Sequence, residues 1–196
     1  MSLLHRTQIP AVFLDRDGTI NEERGHINNP EDLALLAGAA SAIRRLNKSQ
    51  YLTVVVTNQS VIARGKCTEA GMEKIHNRLQ SLIKEDGGTI DQIYYCPHYP
   101  DQGISGGREE LKVVCDCRKP EPGLIMRAAK DMNIDLNLSW MVGDATRDIE
   151  AANRAGIRSI LLSKQDGFDK HCSVSPHAIC LDLNDAVKLI LDYSID

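Results

Sequence analysis

Residues 52–56, Leu-Thr-Val-Val-Val, form an apolar run without alternation, as expected of a strand covered on both faces. Such a strand belongs in a parallel sheet with helices on either side. The rest of the chain fits that frame. Short apolar runs at 11–14, 92–95, 140–142, 159–162 and 179–181 read as strands. Between them, apolar residues at helical spacing predict helices over 33–46, 68–84, 122–132 and 146–156, and a last helix capped by Asn184 or Asp182. Strands separated by helices imply a doubly wound (Rossmann-like) α/β fold with right-handed crossovers. Residues 1–196 read as one domain without internal repeats, and 99–114, with its Pro, Gly and mixed charge, reads as a loop.

Composition narrows the function. Charged residues make up 26% of the chain, the net charge is −4 and the pI is about 5.9, which argues against a sequence-independent nucleic-acid binder. No apolar stretch approaches membrane-spanning length, and no apolar run of signal-peptide length follows the basic residues of the first ten. The expectation is a cytoplasmic monomer that acts on a small molecule.

Ligands of a doubly wound sheet sit beyond the carboxyl ends of its strands. There the sequence places Asp15-Arg16-Asp17-Gly18-Thr19, then Thr57-Asn58-Gln59-Ser60, then Arg118-Lys119-Pro120, then Gly143-Asp144. Each is ordinary alone: Asp-Gly makes turns, Gly-Asp ends many strands, and Thr-Asn caps them. Four in this order, each at a strand end or ahead of a helix, form a constellation of acids, a hydroxyl and a lysine.

On these residues the chain resembles the haloacid-dehalogenase-like phosphatases. Residues 13–21 (Phe-Leu-Asp-Arg-Asp-Gly-Thr-Ile-Asn), 57–66 and 115–120 (Cys-Asp-Cys-Arg-Lys-Pro) are similar to the D-glycero-D-manno-heptose 1,7-bisphosphate 7-phosphatases and their histidinol-phosphatase relatives. The resemblance implies Asp15 as nucleophile, Asp17 as general acid and base, and Thr57 and Lys119 as stabilisers of the phosphoryl group. It implies Mg²⁺ on Asp15, the Asp17 main-chain carbonyl and Asp144, with Asp148 in support. Glu23, Arg24, Gly25 and His26, the 57–60 segment, Arg118 and Lys119 would meet the substrate.

Elementary electrostatics requires those cations. A carboxylate about 4 Å from a phosphate dianion is repelled by roughly 2 kcal/mol in water and roughly 8 kcal/mol at an effective dielectric of 20. A lysine and a hard divalent cation with oxygen ligands offset this.

Six cysteines could be read as three disulfides, but Cys96, Cys115 and Cys117 cluster with His98. Three sulfurs and an imidazole are the ligand set of a closed, structural Zn²⁺ site stapling the 96–117 loop, and the resembled family uses the same Cys-x-His and Cys-x-Cys pairs as zinc ligands. Cys67, Cys172 and Cys180 read as apolar fillers or surface thiols. His5, His26, His76, His171 and His177 show no metal spacing.

Neither the 17–57 gap nor the 57–119 gap has room for a cap domain, so loops are expected to select the substrate. The heptose bisphosphate leads, with histidinol phosphate second. A non-catalytic, zinc-stapled interaction domain is the alternative of a different class. One departure bears on specificity: similar heptose enzymes often place a basic residue directly after the late Gly-Asp, and here it is Ala145.

Overall fold

Six β-strands and five α-helices make up the computed structural model, which describes residues 7–100, 106–163 and 174–193. In chain order they are β1 (Ala11–Leu14), α1 (Ala39–Leu46), β2 (Leu52–Asn58), α2 (Glu69–Glu85), β3 (Gln92–Cys96), α3 (Gly123–Met132), β4 (Trp140–Gly143), α4 (Thr146–Ala155), β5 (Arg158–Leu162), β6 (Ala178–Cys180) and α5 (Leu183–Asp192). The strands form one sheet in the order β3-β2-β1-β4-β5-β6, and every pairing is parallel. The chain leaves β1 toward β2 and β3, then returns to place β4 on the other side of β1. This reversal opens a crevice at the carboxyl ends of β1 and β4, where ligands of such sheets bind.

Both faces of the sheet are covered, which is why its central strands are apolar throughout. Val12, Leu14, Val55, Val142 and Ile160 pack with Ile43 and Leu46 of α1, Met72, Ile75, Leu79 and Ile83 of α2, and Val187 and Ile190 of α5. Ala11, Phe13, Val54, Val56 and Met141 point the other way, onto Leu124, Ile125 and Ala128 of α3 and Ala151 and Ala152 of α4. All four residues of β1 are fully buried, so the segment that ends at Asp15 is held from both sides.

One helix is shorter than the sequence implies. Periodicity predicts a helix from residue 33, but α1 starts at Ala39. Gly38, at φ +80°, turns the chain into it from the left-handed region. Residues 33–36 run back along the segment after β1: Leu36 N donates to Ile20 O, Glu22 N donates to Ala34 O, and Asn21 bridges Leu35 antiparallel. Leu35 and Leu36 reach the core from this extended path, so their spacing imitates a helical face.

Smaller differences are local. Pro122 caps α3 instead of lying in its first turn, β6 begins at Ala178, and the 99–114 loop contains a short 3₁₀ turn at Glu109–Leu111. His5, His171 and Cys172 lie outside the described residues. No helix among the described residues is long and apolar enough to cross a membrane.

Of the two candidate caps for α5, Asp182 is used: its side chain accepts from Asp185 N at 3.0 Å. Asp182→Ala should cost about 1 kcal/mol, a fall of roughly 2–4 °C in Tm. Thermal unfolding of the two proteins checks this, and an unchanged Tm would show that the cap does not hold α5.

Candidate active site

Asp15 follows β1 directly and is 2% exposed. Its Oδ1 accepts from Arg16 N at 2.7 Å and faces Lys119 Nζ at 2.9 Å. Lys119 is equally buried, and its ammonium has three partners: Asp15 Oδ1, Asp148 Oδ1 at 2.6 Å and Val56 O at 2.7 Å. Burial works against its charge, but Asp148 and Asp15 outweigh burial and hold Lys119 above the ordinary lysine range. Asn58, at the end of β2, grips the lysine main chain from both sides: its Nδ2 donates to Lys119 O and its Oδ1 accepts from Lys119 N, each at 3.0 Å.

Asp148, four residues beyond Asp144 on α4, is fully buried. Besides pairing with Lys119, its Oδ2 accepts from Ala145 N at 3.1 Å, closing the first turn of the helix. Gly143 permits that packing, since a Cβ there would lie 2.4 Å from the Asp148 side chain. Gly18 is needed for two reasons. Its φ is +75°, and a Cβ on it would lie 2.0 Å from Asp144 Oδ2.

Carboxylate oxygens of Asp15, Asp144 and Asp148 lie within 4.8 Å of one another. Burial, then the like charges of Asp15 and Asp148, push the Asp144 carboxyl up to about 6, and its Oδ1 is buried without a hydrogen-bond partner. Crowded acids with an orphaned oxygen fit a hard divalent cation, which takes oxygen ligands and relieves their repulsion.

Asp17 is held differently. Arg16 Nη2 donates to both of its oxygens at 2.9 Å, Asn21 Nδ2 donates to Oδ1 at 2.9 Å, and Gln59 Nε2 donates to Oδ2 at 2.9 Å. Burial raises its pKa, but Arg16, Asn21 and Gln59 together hold it below the usual carboxylate range. Gln59 also donates to Thr57 Oγ1 at 2.9 Å, so β2 positions the hydroxyl and the second acid with one amide.

A cavity of about 230 Å³ opens over these groups. Asp15, Asp17, Glu23, Gly25, His26, residues 57–60 and Arg118, all candidate site residues of the sequence, line it. Arg24 and Lys119 do not. The Arg24 guanidinium turns outward to Glu22 Oε2 at 2.7 Å and Asp32 O at 3.2 Å, and Lys119 is buried beneath the cavity. Arg64, Tyr99 and Arg147 complete the wall.

Cys96 ends β3, and the chain returns to it through Cys115 and Cys117. The three sulfurs lie 3.0–3.6 Å apart, and His98 Nδ1 is 3.3 Å from Cys117 Sγ and 3.7 Å from Cys96 Sγ. Four donors on a tetrahedral zinc, with Zn–S near ~2.3 Å, would be separated by roughly 3.8 Å, so a modest expansion admits the ion. Disulfides are excluded among the described cysteines, all of which are free thiols. The hydrogen bond between the Cys96 and Cys117 sulfurs is the main cause that pulls the Cys117 thiol down to about 5. The cluster touches the cavity through Arg118, which donates from Nη1 to His98 O at 3.1 Å.

Sequence reasoning left out Arg16. The signal was present, because an arginine between two acids that enter the interior must share a charge with one of them. Asn21 was part of the first motif but had been given no task.

Comparisons with known proteins agree with this geometry. Residues 116–186 match the HAD-hydrolase-like family model. The chain is 44% identical over 154 residues to the D-glycero-beta-D-manno-heptose-1,7-bisphosphate 7-phosphatase of Salmonella typhi, covering 79% of this chain and 80% of that protein. The Vibrio cholerae protein of the same name is 42% identical over 153 residues, 78% of this chain and 80% of its own length. Among solved structures, the D,D-heptose 1,7-bisphosphate phosphatase from B. bronchiseptica, complexed with magnesium and phosphate, superposes with a TM-score of 0.77 at 31% identity and covers 93% of this chain and 98% of its own. This chain is a phosphatase of the haloacid-dehalogenase-like class and belongs to the family of the heptose-1,7-bisphosphate 7-phosphatases.

Proposed function

We propose that the enzyme removes the 7-phosphate of D-glycero-D-manno-heptose 1,7-bisphosphate through a phosphoryl group carried on Asp15. The observation that carries this reading is the buried arrangement of Asp15, Lys119 and Asp148 beneath a cavity rimmed by arginines. An Asp15 oxygen attacks phosphorus, the bond from phosphorus to the sugar oxygen breaks, and the leaving alkoxide takes a proton from Asp17. A water then attacks the aspartyl phosphate and gives its proton to Asp17, releasing inorganic phosphate and restoring Asp15. Lys119 and the Thr57 hydroxyl hold the phosphoryl oxygens.

Asp17 is ionised in the arrangement described, ready to accept the water's proton. The proton it takes from that water is the one it gives to the leaving alkoxide of the next turnover. Asp15, the Asp17 main-chain carbonyl and Asp144 would hold Mg²⁺, which when bound offsets the charge between nucleophile and phosphate. The Cys96, His98, Cys115 and Cys117 set would hold Zn²⁺ with no open position, as a staple for the loop that carries Arg118 and Lys119. Arg118 holds the second phosphate of a bisphosphate, its planar fork of donors being suited to that group. Among the described residues, α1 is the one α-helix between β1 and β2 and α2 the one between β2 and β3, which leaves no cap there, so the loops at 23–26 and 60–66 and the zinc loop choose the sugar.

Turnover of the heptose bisphosphate, histidinol phosphate and a small aryl phosphate, with and without Mg²⁺, tests the reading. The bisphosphate should be the best substrate and chelation of Mg²⁺ should abolish its hydrolysis. Preference for histidinol phosphate would overturn the substrate. Asp15→Asn should lower kcat by at least ~10³-fold, the scale seen when an essential group is removed. Activity near wild type in that variant would dismiss Asp15 as nucleophile.

Elemental analysis should find about one zinc per chain, as one closed four-ligand set implies. Cys117→Ser should lower Tm and weaken substrate binding together. A zinc-free protein with unchanged Tm and activity would contradict the staple.

A further inference from the structure

Three guanidinium groups border the cavity, and two of them have local partners. Arg64 lies over the Tyr99 ring at 4.1 Å from its centroid. Arg118 lies over the same ring at 5.1 Å and also donates to His98 O. Arg147 is different. Among the described residues its nearest acid oxygen is Asp15 Oδ2, at 3.9 Å from Nη2, which is beyond hydrogen-bond reach.

Arg147 is the second residue of α4, in the first turn, where a cation opposes the helix macrodipole. It also shares the cavity wall with Arg118. A cation at the positive end of a helix, in the same cavity as another cation, has an electrostatic use once an anion lies between them. Helix N-termini themselves favour such an anion.

The two oxygens of Asp15 identify which anion. Oδ1 is engaged by Lys119 Nζ and Arg16 N, whereas Oδ2 is the oxygen that faces Arg147. A phosphoryl group in contact with Oδ2 brings its own oxygens within hydrogen-bond distance of that guanidinium. We propose that Arg147 binds the reacting phosphoryl group directly and, with Lys119, stabilises its charge during transfer. This rests on the phosphatase reading given above. It assigns Arg147 to the phosphate under attack, while Arg118 takes the distal one.

The competing role is charge balance, since Asp148, Asp15, Asp144 and Glu23 all surround Arg147. The two roles differ in what the residue's removal does. Arg147→Ala and Arg147→Lys should be assayed on the heptose bisphosphate and on a small aryl phosphate, with Mg²⁺ present. Inorganic phosphate affinity and Mg²⁺ affinity should be measured by calorimetry on the same proteins. Arg147 is half-exposed, so both variants should fold, which circular dichroism checks.

Arg147→Ala should lower kcat/KM on both substrates by the same factor, roughly 10- to 150-fold, the range of a charge-assisted hydrogen bond. Phosphate affinity should fall in parallel and Arg147→Lys should recover part of each. A loss confined to the bisphosphate would move Arg147 to the distal phosphate and overturn the proposal. Unchanged phosphate affinity with tighter Mg²⁺ binding would reduce Arg147 to charge balance and overturn it equally. The phosphate arm is independent of turnover: if wild type hydrolysed neither substrate, weakened phosphate binding in Arg147→Ala would still support this contact while the proposed activity fell.

Discussion

The Lys119 ammonium is the point on which the site depends. It is buried, and its three partners come from the ends of β1 and β2 and from the first turn of α4. Taking such a charge out of water costs several kcal/mol, and only good geometry with every donor satisfied recovers that cost. The three elements are therefore fixed relative to one another by the same contacts that aim Asp15. A parallel sheet already brings its carboxyl ends to one edge, and the lysine sets the spacing of the chemistry along it.

Lys119 is delivered by a loop and not by the sheet, so the loop needs its own restraint. Asn58 clamps the lysine main chain from β2, and the Cys96–His98–Cys115–Cys117 cluster stands just before it. A metal in that cluster would close a long loop whose ordering is otherwise entropically unfavourable. The hydrogen bond from Arg118 to His98 O extends this order into the cavity. On this view the metal's influence on substrate binding is indirect, carried by residues one and two positions beyond its last ligand, Cys117.

Much of this was legible in the chain. The Leu52–Val56 run marked a parallel sheet because a strand buried on both faces has no polar side. The four motifs followed, since strand ends in such a sheet converge. What was not legible depended on tertiary contacts. Leu35 and Leu36 have helical spacing but sit in an extended segment that Gly38 separates from α1. Arg24, expected at the substrate, turns out to Glu22, and Asn58, which lines the cavity, also holds the Lys119 main chain. Asp148 was expected in support of the metal ligands and proves to be a direct partner of the lysine. Spacing tells which residues share an edge, but the choice among neighbouring partners is made by geometry at the scale of one hydrogen bond.

The central claim, that phosphoryl transfer passes through Asp15, has a direct chemical test. Asp17→Asn removes the acid of the first step and the base of the second and leaves the nucleophile in place, so with an aryl phosphate, whose leaving group needs no proton, a phosphorylated enzyme should accumulate. Rapid acid quench of this variant with a small aryl phosphate labelled on its phosphoryl group, followed by peptide mapping, reads it. The expected result is acid-stable, hydroxylamine-labile label on the peptide that contains Asp15. Label on any other residue, or turnover by this variant with no labelled protein at any time point, would contradict the proposal.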